Sequence, residues 1–171
     1  MRYIKLFESF STDGESKSLS EIDTICQKFG ITNYTVNSDG SVDVDGNVII
    51  GNKGLTKLPL MFGRVSGSFW CSNNELTSLE GCPTEVGGNF YCNNNQLNSL
   101  EGGPKEISGY FICEKNPIYE VYKLFPDYKS FMYSLDYNYL RGTSIVRSRF
   151  QEALDELDIE LPESISGYKY I

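Results

Sequence analysis

Histidine is absent from this chain of 171 residues. Its absence removes the commonest general base at neutral pH, and with it the Ser/His/Asp and Cys/His arrangements of nucleophilic catalysis. Positive charge is scarce: 15 Lys and Arg stand against 23 Asp and Glu, a formal net charge of -8. Affinity for nucleic acid rests largely on neutralising phosphates, so a polyanion-binding surface is disfavoured and basic partners become more plausible. No run of 18 apolar residues and no hydrophobic signal-peptide core occurs. The sequence therefore predicts neither a membrane span nor secretion, and cytosol is the expected compartment. Close cysteine pairs such as C-x-x-C are missing, which speaks against zinc. Gly87-Gly88 and Gly102-Gly103 lack the following lysine and helix start of a phosphate-cradling loop. Together these absences predict a chain that is not an enzyme and needs neither cofactor nor metal.

What is present is a repeat. Gly67 to Gly87 (GSFWCSNNELTSLEGCPTEVG) and Gly88 to Ser108 (GNFYCNNNQLNSLEGGPKEIS) share 12 identical positions over a period of 21. Gly109 (GYFICEKNPIYEV) starts a further copy, and a diverged one precedes them from Gly46 to Ser66 (GNVIIGNKGLTKLPLMFGRVS). A fixed period of this length signals a repeat architecture. Val48, Phe69, Phe90 and Phe111 form one column, and Ile50, Cys71, Cys92 and Cys113 the next but one. Two apolar residues separated by one other mark a short strand with one buried face. After a bend rich in asparagine come the columns Leu55, Leu76, Leu97, Ile118 and Leu58, Leu79, Leu100, Val121. No copy can bury these faces alone, whereas strands stacked about 4.8 Å apart make a continuous core. Lys53, Asn74, Asn95 and Asn116 occupy the bend. There an inward asparagine can satisfy backbone groups that would otherwise be buried unpaired.

Phe69 to Leu76, Phe90 to Leu97 and Phe111 to Ile118 spell F-x-C-x-x-N-x-L or its isoleucine variant. This string resembles the leucine-rich repeat core L-x-L-x-x-N-x-L in a short bacterial-type form, over residues 46 to 125. The first copy departs from it at Lys53, and the last loses the Glu-Gly-x-Pro segment after Tyr119, as terminal repeats do. The wording CSNNELTSLEGCP with a preceding DGSVDVDGNV also resembles leucine-rich proteins encoded in tailed-phage genomes, a likeness that brings no defined activity. The resemblance implies an α/β repeat solenoid with a parallel sheet, whose outward strand positions form a concave face. Those positions are Asn47, Ser68, Asn89 and Tyr110, then Ile49, Trp70, Tyr91 and Ile112, then Gly51, Ser72, Asn93 and Glu114. Large rigid anchors beside adaptable polar groups suit a protein partner. The candidate binding residues are Trp70, Tyr91, Ile112, Tyr110, Asn89, Asn93 and Ser72, with Trp70 and Tyr91 as hot spots. Two other accounts of the stripe stand beside this one: cross-strand stacking that merely stabilises the sheet, or C-terminal helices folded over it.

The flanks divide the rest into a leader (1–17), an N-terminal helix and β-hairpin cap (18–45), the repeats (46–125) and a C-terminal helical cap (126–171). Ser18-Leu19-Ser20-Glu21 is a capping-box pattern, and Ile22, Ile25, Cys26 and Phe29 give a helix over 19 to 29 that Gly30 stops. Tyr34 to Val36, Ser41 to Val44 and Val48 to Ile50, separated by Asp39-Gly40 and Asp45-Gly46, predict an antiparallel meander. Beyond Pro126, the series Tyr128, Phe131, Met132, Leu135, Tyr139 and the series Ile145, Phe150, Leu154, Leu157 predict two helices, with Asp127 and Thr143 or Ser144 as caps. Gly167 to Ile171 is expected to dock on the body, and Arg141, Arg147 and Arg149 to form a solvated or salt-paired cluster. Cys71, Cys92 and Cys113 are read as small buried hydrophobes, Cys82 as local packing and Cys26 as helix core. Glu80, Glu85, Glu101 and Glu106 recur with the repeat, on the turn side of each coil.

Met1 to Phe10, apolar and basic, precedes the polar stretch Ser11 to Lys17 and looks detachable. It resembles the leaders that direct internal proteins into proheads of T-even-like phages, where cleavage follows Leu or Ile, any residue, then Glu. Leu6-Phe7-Glu8 and Leu19-Ser20-Glu21 fit, as do Ile118-Tyr119-Glu120, Leu154-Asp155-Glu156 and Leu161-Pro162-Glu163, so the rule discriminates poorly. The expectation is a non-enzymatic interaction module of the leucine-rich type that binds a host or virion protein. The alternative is a packaged internal or structural virion protein. Neither the partner nor the oligomeric state can be read from these residues.

Overall fold

An apolar pair around one outward residue, a left-handed bend and an inward asparagine recur every 21 residues, and each of these parts has a structural counterpart. The computed structural model describes residues 17–171; the leader and its Leu6-Phe7-Glu8 motif lie outside them. Helix α1 (Leu19–Phe29) comes first, followed by β1 (Tyr34–Val36), β2 (Val42–Val44) and β3 (Val48–Ile49). Each later coil then adds two strands: β4 (Phe62–Val65) and β5 (Phe69–Trp70), β6 (Glu85–Val86) and β7 (Phe90–Tyr91), β8 (Glu106–Ile107) and β9 (Phe111–Ile112). The C-terminal part holds α2 (Tyr119–Tyr122), α3 (Tyr128–Ser134), a 3-10 turn over Leu135–Tyr137, β10 (Leu140–Arg141), β11 (Ser144–Ile145), α4 (Arg147–Asp155) and β12 (Lys169–Tyr170).

The coils pair in parallel at the repeat distance. One sheet runs β3-β5-β7-β9, with Val48, Phe69, Phe90 and Phe111 in direct register. A second runs β1-β2-β4-β6-β8, parallel from β2 onward, with β1 antiparallel at its end. Only one strand per copy is evident in the sequence, so this second ladder is new, and it puts Glu85 and Glu106 on strands rather than in turns. Phe69, Phe90 and Phe111 stack at centroid distances of 5.6 and 6.0 Å with planes 8° apart. Cys71, Cys92 and Cys113 lie beneath them, buried, and the five cysteines are free thiols. Where the chain passes from the second sheet to the first, Gly67, Gly88 and Gly109 hydrogen-bond in series, Gly88 N to Gly67 O at 2.9 Å and Gly109 N to Gly88 O at 3.0 Å. A Cβ at Gly88 would lie 2.9 Å from Ser68 N, closer than side chains tolerate, so the corner needs glycine.

Asparagine does two jobs at the bend. Asn52, Asn73 and Asn94 adopt φ of 57°, 54° and 55°, a region that asparagine enters more easily than most residues. The next position along, Asn74, Asn95 and Asn116, is buried and ties coil to coil. In the last coil Lys115 holds the left-handed position at φ 57° without that local preference. Lys115→Asn is therefore expected to stabilise the chain by about 0.5–1 kcal/mol, read as a rise in the urea midpoint with unchanged slope.

The flanks depart from the sequence expectations in four places. Strand β3 does not join a meander with β1 and β2: Gly46, at φ 138°, carries the chain across to the other sheet. Strand β2 pairs with β4, so the ladder starts inside the segment read as a cap. Helix α3 ends at Ser134, and Asn138, at φ 53°, turns the chain so that Tyr139 is buried outside any helix with its hydroxyl 2.8 Å from Ser134 Oγ. Ile145 lies on β11, and the N-cap of α4 is Val146, not Thr143 or Ser144. Ser18 and Glu21 do form the capping box, and the Asp127 side chain caps α3. The C-terminal part closes the last coil: Tyr122 and Tyr128 pack on Phe111 at 5.1 and 4.3 Å, and Tyr128 Oη donates to Pro104 O at 2.6 Å. Tyr168 Oη donates to Asn98 O at 3.0 Å while β12 pairs with β11, which fastens the chain end to the coils.

Candidate functional site

Strand residues with Cβ directed away from the core stand in rows across the β3-β5-β7-β9 sheet, because parallel register places equivalent positions side by side. Ile49, Trp70, Tyr91 and Ile112 form the central row. Ile49 is 56% exposed, and the other three are half-buried. The rings of Trp70 and Tyr91 stack at 5.4 Å with 29° between planes. Side chains that rise from a sheet and stack along the ladder present ring edges to solvent. The row is thus an apolar ridge flanked at both ends by isoleucine.

The neighbouring row is committed to the fold. Ser68 N donates to Asn47 Oδ1 at 2.8 Å, Asn89 N to Ser68 Oγ at 3.0 Å and Tyr110 N to Asn89 Oδ1 at 2.8 Å. Asn89 also donates from Nδ2 to Tyr91 Oη at 2.9 Å, which fixes the phenol beside Trp70. Asn89 therefore serves as a positioning residue, its polar atoms already engaged. Tyr110 ends this row with no acceptor of the same kind to offer and is 75% exposed, a third aromatic side chain beside Ile112. On the other flank Ser72 and Asn93 are half-buried, and among the described residues their side chains make no hydrogen bond. Of the seven candidate residues, four thus build the apolar surface, two carry unengaged polar groups and one orients Tyr91.

Nothing from the C-terminal part stacks on the ridge. Its aromatic contacts with the coils run through Phe111, on the inner side of β9. Chemistry elsewhere is sparse. Burial pushes the Cys71 thiol up to about 12, and pushes Cys82, Cys92 and Cys113 up as well, which keeps all four protonated and unreactive. Glu85 and Glu106 stand in direct register, with Arg64 3.3 Å from the Glu85 carboxylate. Among the described residues no group of three or more His, Cys, Asp or Glu side chains is placed to hold a metal ion, and no helix is long and apolar enough to cross a membrane. A solvent-open depression on the C-terminal part, lined by Arg147, Gln151, Asp155 and Asp158 among others, involves none of the ridge residues. The engagement of Asn89 had no sequence signal, because an outward asparagine reads alike whether the next coil or a partner uses it. Comparison with family models, with curated proteins and with solved structures finds no match to this chain.

Proposed function

We propose that this chain is a solenoid of the leucine-rich-repeat type, without catalytic activity, that binds a protein through the ridge Ile49, Trp70, Tyr91, Ile112 and the adjoining Tyr110, Ser72 and Asn93. The observation that carries this reading is the ridge itself: four large apolar residues in one row, none of them stacked on by a ring of the C-terminal part, next to polar groups with free hydrogen-bonding capacity. Edge-on rings favour an apolar protein surface over a sugar, since sugars stack on ring faces and here each ring has one face against the other. The 21-residue register and the buried asparagine column support the repeat class. Five free thiols suit a reducing compartment, so the cytosol belongs to the same reading. So does a phage origin, on the resemblance of the repeat wording.

Trp70 is the single tryptophan, so its emission reports on the proposed site alone. A partner recovered from lysate with the intact chain is expected to shield Trp70 from acrylamide. Trp70→Ala with Tyr91→Ala should weaken that complex by roughly 30-fold or more, while costing the fold only about 1 kcal/mol of cross-strand stacking. Undiminished binding by a double variant that has lost stability would mean that the rings serve the sheet and not a partner.

A further inference from the structure

The two sheets end differently. At the first coil, antiparallel β1 closes the sheet of β2, β4, β6 and β8, whereas at the last coil β8 is the terminal strand. Ser108 N donates to Val86 O at 2.9 Å, and Ile107 stands in register with Val86. In a parallel ladder a residue so placed directs its own N–H and C=O away from its neighbour, so those of Ile107 face outward. Tyr122 and Tyr128 roof the adjoining β9 through Phe111, yet Glu106, Ser108, Gly109 and Tyr110 remain exposed.

Side chains along this edge repeat a pattern that breaks off unfinished. In the row Val44, Val65, Val86, Ile107 the first three are 3%, 0% and 2% exposed, each covered by the next coil, while Ile107 is only half-buried. In the outward row Arg64 pairs with Glu85 at 3.3 Å, and Glu106, beside Glu85, makes no ion pair among the described residues. Like charges in direct register repel, so a cation on the open side of Glu106 would relieve that contact as well as pair with it. A second copy paired antiparallel through Ile107 would set Ser108 opposite Glu106 and offer no cation there, which argues against self-association here.

We infer that the β8 edge is a second docking site, distinct from the ridge, for an extended segment of another protein that adds as a parallel strand. The segment carries Lys or Arg over Glu106, a β-branched aliphatic residue over Ile107, and then small residues where the coils turn. The chain's own rung Arg64-Val65-Ser66-Gly67 shows the required order, although that rung is itself held within the sheet. Main-chain hydrogen bonds to Ile107 would supply affinity, and the two side chains specificity.

The test uses the full chain and a fluorescein-labelled peptide Thr-Arg-Val-Ser-Gly-Thr, followed by anisotropy. Saturable binding below about 1 mM is expected, with the Ile107 amide exchanging more slowly in the complex and the Val86 amide unchanged. Arg→Glu in the peptide should weaken binding roughly tenfold, and Glu106→Lys in the chain should reverse the preference. Glu106 is exposed, so the variant folds, and its urea midpoint checks that. No saturable binding, equal affinity for both peptides, or loss of binding on Trp70→Ala with Tyr91→Ala would each overturn the assignment. The last result would place the peptide on the ridge instead.

Discussion

Asn95→Ala is expected to destabilise the chain by about 2–4 kcal/mol, a large effect for a single polar substitution. Asn95 Oδ1 accepts from Leu76 N at 3.0 Å, and Nδ2 donates to Cys71 O at 3.1 Å and Cys92 O at 2.9 Å. One side chain thus satisfies a backbone donor of the preceding coil and carbonyls of both coils, in a position 8% exposed. Alanine leaves Leu76 N without a partner, at roughly 1–3 kcal/mol, and takes one of two donors from Cys71 O and from Cys92 O, which keep Asn74 Nδ2 and Asn116 Nδ2 respectively and so lose less. Asn94→Gly, one residue away, is the control. Asn94 contributes a surface bond to Asn73 and a left-handed backbone that glycine adopts freely, so its loss should cost less than about 1 kcal/mol. Urea unfolding of the two variants side by side checks the contrast; similar midpoints would show that the asparagine column is not what joins the coils.

That contrast also shows what could be read from the residues. Columns 21 apart name Phe69, Phe90, Cys71, Cys92, Leu76 and Leu97, all fully buried, because packing against an identical neighbour forces the same residue type at each rung. The β4-β6-β8 ladder left only one apolar column, Val65, Val86 and Ile107, too little to announce a strand. Its strands are as short as two residues, and Glu85-Val86 follows Pro83-Thr84 with no alternation long enough to notice. Pairing with the coils on either side, rather than local propensity, makes it extended. Asp45-Gly46 misled for a related reason: a dipeptide that closes hairpins also accommodates a φ of 138°, and only the sheet on the far side decides which. Tyr139 and Ile145 sit at helical spacing because both are buried, but burial periodicity cannot distinguish a continuing helix from a chain that turns back at Asn138. At the candidate site, the aromatic row was legible as a row. The capture of Asn89 by Tyr91 and Tyr110 depends on coil-to-coil distances that no spacing encodes.

Alkaline pH should unfold this chain well before it would unfold a protein with exposed cysteines. The thiols of Cys26, Cys71, Cys82, Cys92 and Cys113 are raised by burial from an ordinary value of 9.0, Cys26 to about 11 and Cys71 to about 12. A group with a raised folded-state pKa contributes stability that is whole below its unfolded value. Above that value the unfolded chain ionises and the native one does not, so the contribution drains away until the folded pKa is passed. For each thiol the loss is about 1.4 kcal/mol per pH unit. Five thiols together remove roughly 6–7 kcal/mol between about pH 8 and pH 10, which is comparable with the whole stability of many domains. Tyr122 and Tyr168, raised to about 12 by burial, add to the decline only above the ordinary tyrosine range. The acid limb should be shallow by comparison. The carboxylates held low by hydrogen bonds, Glu21, Asp39 and Asp127, are exposed groups at a cap or turn, and their contribution fades only as pH falls through the carboxylate range. Urea midpoints at about pH 8, 9 and 10, under reductant, would measure the alkaline slope. Cys71→Ala with Cys92→Ala and Cys113→Ala should start from a lower stability, since packing is lost, yet decline about two-fifths as steeply, because Cys26 and Cys82 remain. A triple variant as steep as the intact chain would assign the alkaline transition to groups other than the stacked thiols.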